Sequence, residues 1–230
     1  MGNISEEIAE NLGSKGVIPL PFEILGETSI TNSVVNTWIV MVLVGLVCFL
    51  LTRNLSVEKP KGPQLALEAI VSFANNLFQS ALGPHGKAYY PYLASVLIYL
   101  AVSNTMGFFG FTPPTKDINV TASLALMSII LIQVSGIRKK GVGGWLHSFM
   151  EPIPVVTPIN IMELGIKPLS LCMRLFGNVL GAFIIMELLK AFCALIVPVP
   201  FSCYFDIFDG LIQAYVFVFL TSLFMNEAME

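Results

Sequence analysis

The sequence predicts an all-α membrane protein with about five transmembrane helices and one amphipathic interfacial helix. Its last two helices are expected to form a long, strongly tilted hairpin embedded in the membrane. Three observations carry this reading. Of the 230 residues, 55% are hydrophobic and only 12% charged, against about 25% charged in an average soluble domain. Several tracts free of charge reach the length that crosses about 30 Å of hydrocarbon. A tract near the carboxyl end continues for roughly 34 residues, or about 50 Å as a helix, too long to stand upright in that slab.

Residues 1–33 are read as an extracytoplasmic segment. They carry five glutamates (Glu6, Glu7, Glu10, Glu23, Glu27) against one lysine, the reverse of a basic leader, so no cleavable signal peptide is expected. Residues 34–52, "VVNTWIVMVLVGLVCFLLT", contain no charge and form the first span. Residues 53–88 make a cytoplasmic loop and the amphipathic helix. The loop "RNLSVEKPKGP" is basic and broken by two prolines, and residues 64–82 are only moderately apolar with one charge. That helix should lie at the interface or pack on protein.

Residues 89–137 read as a transmembrane hairpin. Its first arm, 89–110, enters with Tyr89, Tyr90 and Tyr92, rings that favour the headgroup level. "FTPPTKDINV" makes the turn, and residues 120–137 form the return arm. Residues 138–157 form a second cytoplasmic loop, opening on Arg138, Lys139 and Lys140 and holding a short interfacial piece anchored by Trp145. Arg53, Lys59 and Lys61 follow the first span, whereas Lys116 stands alone between the second and third. The positive-inside rule places both basic loops in the cytoplasm and the amino terminus outside; five crossings then leave the carboxyl terminus in the cytoplasm.

Residues 158–230 form the last hairpin, a tract from Pro158 to about Phe192 and another from about Tyr204 to Met225. At about 100° per residue, Glu163, Lys167, Ser170, Arg174, Gly177, Asn178 and Gly181 fall in one stripe roughly 100° wide. Asp206, Gly210, Gln213 and Phe217 share a face of the second tract, with Asp209 at its edge. Two polar stripes edged by glycines suggest a wet or closely approached surface.

Each member has a plain alternative. Glu163 and Lys167 are spaced as an intrahelical ion pair; Ser170 and Asn178 fit interhelical glue; the glycines fit tight packing. For these, structure and function stay open. Arg174 differs, because no acid on its own face lies within one turn, and an intramembrane charge without a local partner points to function. Asp206 and Gln213 are candidates to pair with it or to line a path beside it. Glu187 and Lys190 read as snorkelling end charges, and His85 and His147 as solvated. The net charge of −3 argues against nucleic acid as a partner. Cys48, Cys172, Cys193 and Cys203 show neither CxxC spacing nor histidine clustering, so they read as small apolar residues, with a Cys193–Cys203 bridge as the alternative.

"KPLSLCMRLFGN" at 167–178 closely resembles the signature of subunit a of rotary F-type ATP synthases, in which a Lys/Arg-Pro-(x)-Ser run leads to Arg-Leu-Phe-Gly-Asn. "DINVT" at 117–121, "KGVGGW" at 140–145, "IMELGIKP" at 161–168 and "LIQAYVFVFLT" at 211–221 follow in the family's order. The resemblance covers residues 90 to 225. It implies five transmembrane helices plus an amphipathic helix, the last two lying against a rotating ring of c subunits.

The same resemblance implies an ion-translocating stator subunit, not itself catalytic, that couples H+ or Na+ flow to ATP synthesis through two offset half-channels. No cofactor or metal is implied. Its partners would be the c-subunit ring, the b subunits of the peripheral stalk, the rest of the synthase and membrane lipid. Arg174 becomes the essential arginine; Asn178 and Gln213 fall on the family's polar positions beside the ion path, and Ser170 on its motif serine. Glu163 and Lys167 complete the stripe.

Two departures stand out. Many members carry a glutamate where this chain has Phe183, and Asp206 occupies a position that varies among members. The outer access path is therefore expected to use Asp206, with Asp209 beside it, and Glu187 as the lesser stand-in. Length and the lack of a transit peptide point to a bacterial plasma membrane. A stand-alone transporter or channel, with Arg174 binding an anionic substrate, is the rival reading; its usual inverted repeat is not visible. An intramembrane enzyme would need a catalytic signature that this sequence lacks.

Overall fold

Long apolar runs punctuated by glycine and proline fold as expected, into helices. The computed structural model describes residues 16–24, 27–53, 62–150, 154–192 and 198–230. A short antiparallel ribbon, β1 (Gly16–Ile24) and β2 (Glu27–Thr31), precedes them, with Gly16 opposite Thr31 and Ile24 opposite Glu27. The sequence had assigned no strand there. The helices are α1 (Asn32–Thr52), α2 (Gly62–Leu82), α3 (Tyr90–Thr105), α4 (Ile118–Ser148), α5 (Thr157–Phe192) and α6 (Pro198–Met229). Five of them, all but α2, are long and apolar enough to cross a membrane, α3 counting with its flanking turns as Gly86–Phe109.

The amphipathic α2 packs on α6, burying Ala74, Leu77, Phe78, Ala81 and Leu82 while Leu65, Ile70 and Phe73 stay exposed. α1 is exposed over most of its length and meets α3. Its one buried polar side chain, Asn36, donates through Nδ2 to the Thr112 carbonyl at 2.9 Å and to Thr112 Oγ1 at 3.0 Å. α4 runs straight into its basic end and breaks at Gly141, whose φ of 73° suits a residue without Cβ. The chain then folds back far enough for Trp145 Nε1 to donate to Gln133 Oε1 at 2.8 Å. The short interfacial piece anchored on Trp145 is thus tied to the helix before it.

The core lies where α3, α4 and α6 meet, around Leu93, Leu100, Ile132, Phe217, Val218 and Met225. α5 closes this core through Leu171 and Leu175. The last two helices pack more on α4 than on each other. Close approach is bought by glycine: a Cβ at Gly210 would sit 2.9 Å from Asn104 Cβ, and one at Gly136 2.9 Å from the Ala228 carbonyl oxygen.

A buried polar bolt crosses this contact. Thr115 Oγ1 donates to Asn104 Oδ1 at 2.8 Å, and Asn104 Nδ2 donates to the Gly210 carbonyl at 3.0 Å. Asn104 is 4% exposed and Thr115 fully buried. Removing a buried partner strands the others at roughly 1–3 kcal/mol. Asn104→Ala is therefore expected to lower the thermal midpoint of the detergent-solubilised protein, which differential scanning fluorimetry would read; an unchanged midpoint would show the bolt carries no stability.

Two helix expectations shift in detail. α6 begins at Pro198, ahead of the expected Tyr204. Its segment Cys203–Asp209 is a π-helix, so a 100° wheel cannot phase Asp206 and Asp209 against Gln213. Cys48, Cys172 and Cys203 are free; Cys193, the other end of the alternative bridge, lies outside the described residues.

Candidate functional site

α5 is regular from Thr157 to Phe192, with Pro168 inside it, so its polar stripe forms as the 3.6-residue period requires. One side, Leu171, Cys172 and Leu175, is buried. The other presents Ser170, Arg174, Gly177 and Asn178 on the exposed surface of the chain. A Cβ at Gly177 or Gly181 would meet nothing within 4 Å among the described residues, so neither glycine serves packing between them. They leave a shallow face open beside Arg174. Among the described residues, Arg174 has no ion-pair or hydrogen-bond partner.

Two cavities flank this arginine without including it. The first, of about 490 Å³, is lined by Asn178, Phe183, Glu187, Asp206, Asp209 and Gln213, among others. The second, of about 320 Å³, is lined by Glu163, Lys167, Glu227 and Trp145, among others. Lys167 precedes Arg174 by about two helical turns, roughly 10 Å, and Asn178 follows it by about one, roughly 6 Å.

In the first cavity the two stripes touch. Asn178 Nδ2 donates to Gln213 Oε1 at 2.7 Å. Gln213 is 3% exposed, and its Nε2 finds no acceptor among the described residues. Gly210, Gln213 and Phe217 are buried, so the α6 stripe is a closely approached surface, with Gly210 and Gln213 at the wall of the cavity. Asp206 accepts a hydrogen bond from Ser202 Oγ, and its carboxylate occupies the space a Cβ at Gly107 would need. Glu187 pairs with Lys190 at 3.1 Å.

Lys116, which the sequence reading used only for orientation, also enters this cavity. It ends the short turn Pro114–Lys116 and places Nζ 3.5 Å from the centroid of the Phe183 ring. Burial pushes its pKa below the ordinary lysine value, and the Glu187 carboxylate pulls it back up. The cation lies in a loop, far along the chain from Phe183, so no periodicity links the two.

In the second cavity, Lys167 Nζ lies 3.2 Å from Glu163 Oε2, the expected i, i+4 pair. It also lies 2.9 Å from Glu227 Oε1, near the end of α6. Glu227 went unnoticed in the sequence, where the second tract was ended at Met225; its acid charge beyond that point was the available signal. Ser170 lies on the exposed stripe between Lys167 and Arg174 and lines neither cavity.

The arrangement is an exposed cation on a face kept open by glycines, between two recesses that each hold acidic and basic side chains. The family model described as ATP synthase A chain matches residues 34–226. The chain belongs to that family. ATP synthase subunit a of Moorella thermoacetica is 39% identical over 204 residues, covering 87% of this chain and 93% of that relative. ATP synthase subunit a 2 of a Bradyrhizobium species is 35% identical over 206 residues, covering 89% and 92%. A subunit a of Propionigenium modestum described as sodium ion specific is 32% identical over 216 residues, covering 87% of this chain and 74% of its own length. As an ATP synthase A chain, the protein is an ion-translocating, non-catalytic subunit of the membrane sector and a multi-pass membrane protein of a bacterial ATP synthase.

Proposed function

We propose that this A chain is the stator half of a rotary ion path, with Arg174 separating two offset half-channels. The observation that carries the reading is the exposed guanidinium, without an ion-pair or hydrogen-bond partner among the described residues, between two cavities that each hold acidic and basic side chains. The first cavity is the outer half-channel, lined by Asn178, Gln213, Asp206 and Asp209. The second, with Glu163, Lys167 and Glu227, is the inner one. Ser170 keeps the intervening face polar.

The open face of α5 takes the c-subunit ring, and the b subunits of the peripheral stalk hold the chain against the turning ring. The amino terminus lies outside a bacterial plasma membrane and the carboxyl terminus in the cytoplasm. At 36 residues α5 measures roughly 54 Å, so it lies strongly inclined to the slab, across the path of the ring.

The chemistry follows from charge in a poor dielectric. A ring carboxylate facing lipid is neutral, protonated or ion-loaded, because a bare charge there costs too much. Brought about 4 Å from Arg174, it gains about 4 kcal/mol in its ionised form at an effective dielectric near 20. That lowers its pKa by about three units and releases its ion. The same cation repels any ion passing straight between the half-channels. Ions crossing from one cavity to the other must therefore ride the ring, and the ring must turn.

The test uses the native complex. Extracted in mild detergent, the chain should comigrate with a ring of small hairpin subunits, and vesicles holding the complex should pump ions when given ATP. Ion transport by the isolated chain alone in liposomes would replace this reading with that of a stand-alone transporter.

A further inference from the structure

We propose that the turn-back at the end of α4 docks on the membrane surface and binds anionic lipid headgroups through Arg138, Lys139 and Lys140. This docking requires neither cavity to carry ions, so it stands apart from the rotary reading. Three observations point to lipid and to its charge. First, α4 leaves the hydrocarbon at these bases. Leu126, Ile130 and Val134 stand exposed at a spacing of four along a helix long and apolar enough to span, and Arg138 is next in that row. Arg138 and Lys139 are exposed and Lys140 half-buried. Second, the chain turns at Gly141 and comes back towards its own helix. Trp145 Nε1 is tied to Gln133 Oε1 at 2.8 Å, and the Phe149 carbonyl accepts from Asn160 Nδ2 at 3.0 Å. Held in this way, the returning piece leaves Val142, Leu146 and Met150 exposed by 62%, 57% and 53%. A piece lying at the headgroup level buries such side chains in the acyl boundary. Third, the charge here is of one sign. No Asp or Glu occurs between Ile118 and Met150, and none of the three bases has an ion pair among the described residues.

Lys140 also lines the second cavity, but the acids there are engaged. Lys167 holds Glu163 and Glu227, and Asn226 donates to Glu230. The three cations are left for an anion from outside the chain, and a lipid phosphate supplies one at the depth of the exposed apolar side chains. A zwitterionic headgroup carries a phosphate too, but its own ammonium offsets the attraction. An anionic headgroup has no such offset, and each base near an anionic surface adds to the binding. Gly144 admits the close return: a Cβ there would lie 3.1 Å from Lys140 Cβ. The docked piece is also one wall of the second cavity, through Lys140, Trp145, Ser148 and Phe149.

The experiment uses the whole complex in vesicles of equal parts phosphatidylglycerol and phosphatidylcholine. A photoreactive benzophenone side chain replaces Leu146, and mass spectrometry identifies what it captures on illumination. Lipid adducts are expected, with phosphatidylglycerol at least about threefold over phosphatidylcholine. Replacing the bases together, Arg138→Gln with Lys139→Gln and Lys140→Gln, is expected to abolish that preference. Equal capture of the two lipids with all three bases present would overturn the proposal. So would capture of another subunit in place of lipid, or no capture. These measurements keep the native bases and hold whether or not the triple variant assembles. A preference that persists in an assembled triple variant would also overturn it.

Discussion

Arg174→Ala is expected to abolish ATP synthesis driven by an ion gradient while leaving the complex assembled. The assembly half of this expectation rests on burial. Arg174 is exposed, bonded to none of the described residues, and borne on a helix anchored by the buried Leu171 and Leu175 on its other side. Removing it breaks no ion pair or hydrogen bond among the described residues, so the fold is expected to survive. The functional half rests on the size of the electrostatic effect. Losing about 4 kcal/mol of stabilisation for the ionised ring carboxylate returns its pKa towards that of an acid in lipid, and release slows by about three decades.

On the proposed reading the variant also loses the charge that keeps the two cavities apart, so ions are expected to leak between them without turning the ring. Vesicles containing the variant should show no ATP-driven pumping above background and a raised passive leak. Normal pumping would refute the role. Arg174→Lys should fail as well. An ammonium sheds its proton more readily in a poor dielectric than a guanidinium and lacks the planar fork that meets a carboxylate with two parallel bonds.

Much of this was legible in the chain, for reasons that differ from part to part. The first span showed because α1 is an uncharged run, and the end of the third because Arg138, Lys139 and Lys140 close its apolar run just before the break at Gly141. The Arg174 stripe showed because α5 keeps one period from end to end. On α6 the same reasoning met the π-helical Cys203–Asp209, where the period changes and a fixed wheel loses its phase. Lys116 and Glu227 escaped for another reason. Each reaches the site from a different element, through contacts with Phe183 and Lys167 respectively, and contact between elements leaves no periodic trace. The glycines were legible as a class but not in purpose. Gly210 packs against Asn104, whereas a Cβ at Gly177 or Gly181 would meet none of the described residues within 4 Å. Only the fold separates a glycine that admits a neighbouring helix from one with open space beside it.

On the proposed reading, the acid that serves the outer half-channel follows from what each carboxylate already holds. Glu187 and Asp206 line the same cavity. Glu187 is committed: it pairs with Lys190 at 3.1 Å and lies within electrostatic reach of Lys116. A partly exposed ion pair of this kind contributes little, so little is lost when its acid is made neutral. Asp206 has no cation partner among the described residues, only the hydroxyl of Ser202, and it lies on the helix that carries Gln213. On the proposed reading it is the acid that relays the proton. Asp206→Asn keeps the shape, and its amide can meet the same hydroxyl, but it cannot carry a proton. Proton-driven ATP synthesis is therefore expected to fall by about a hundredfold, the scale of losing one positioned proton carrier. Glu187→Gln is expected to stay within about twofold of wild type, the scale of losing a half-exposed ion pair. Measuring both variants side by side, in vesicles with matched amounts of complex, separates the alternatives. If Glu187→Gln is the crippled one and Asp206→Asn runs normally, the outer path follows α5 to the Phe183 level and the role assigned to α6 is wrong.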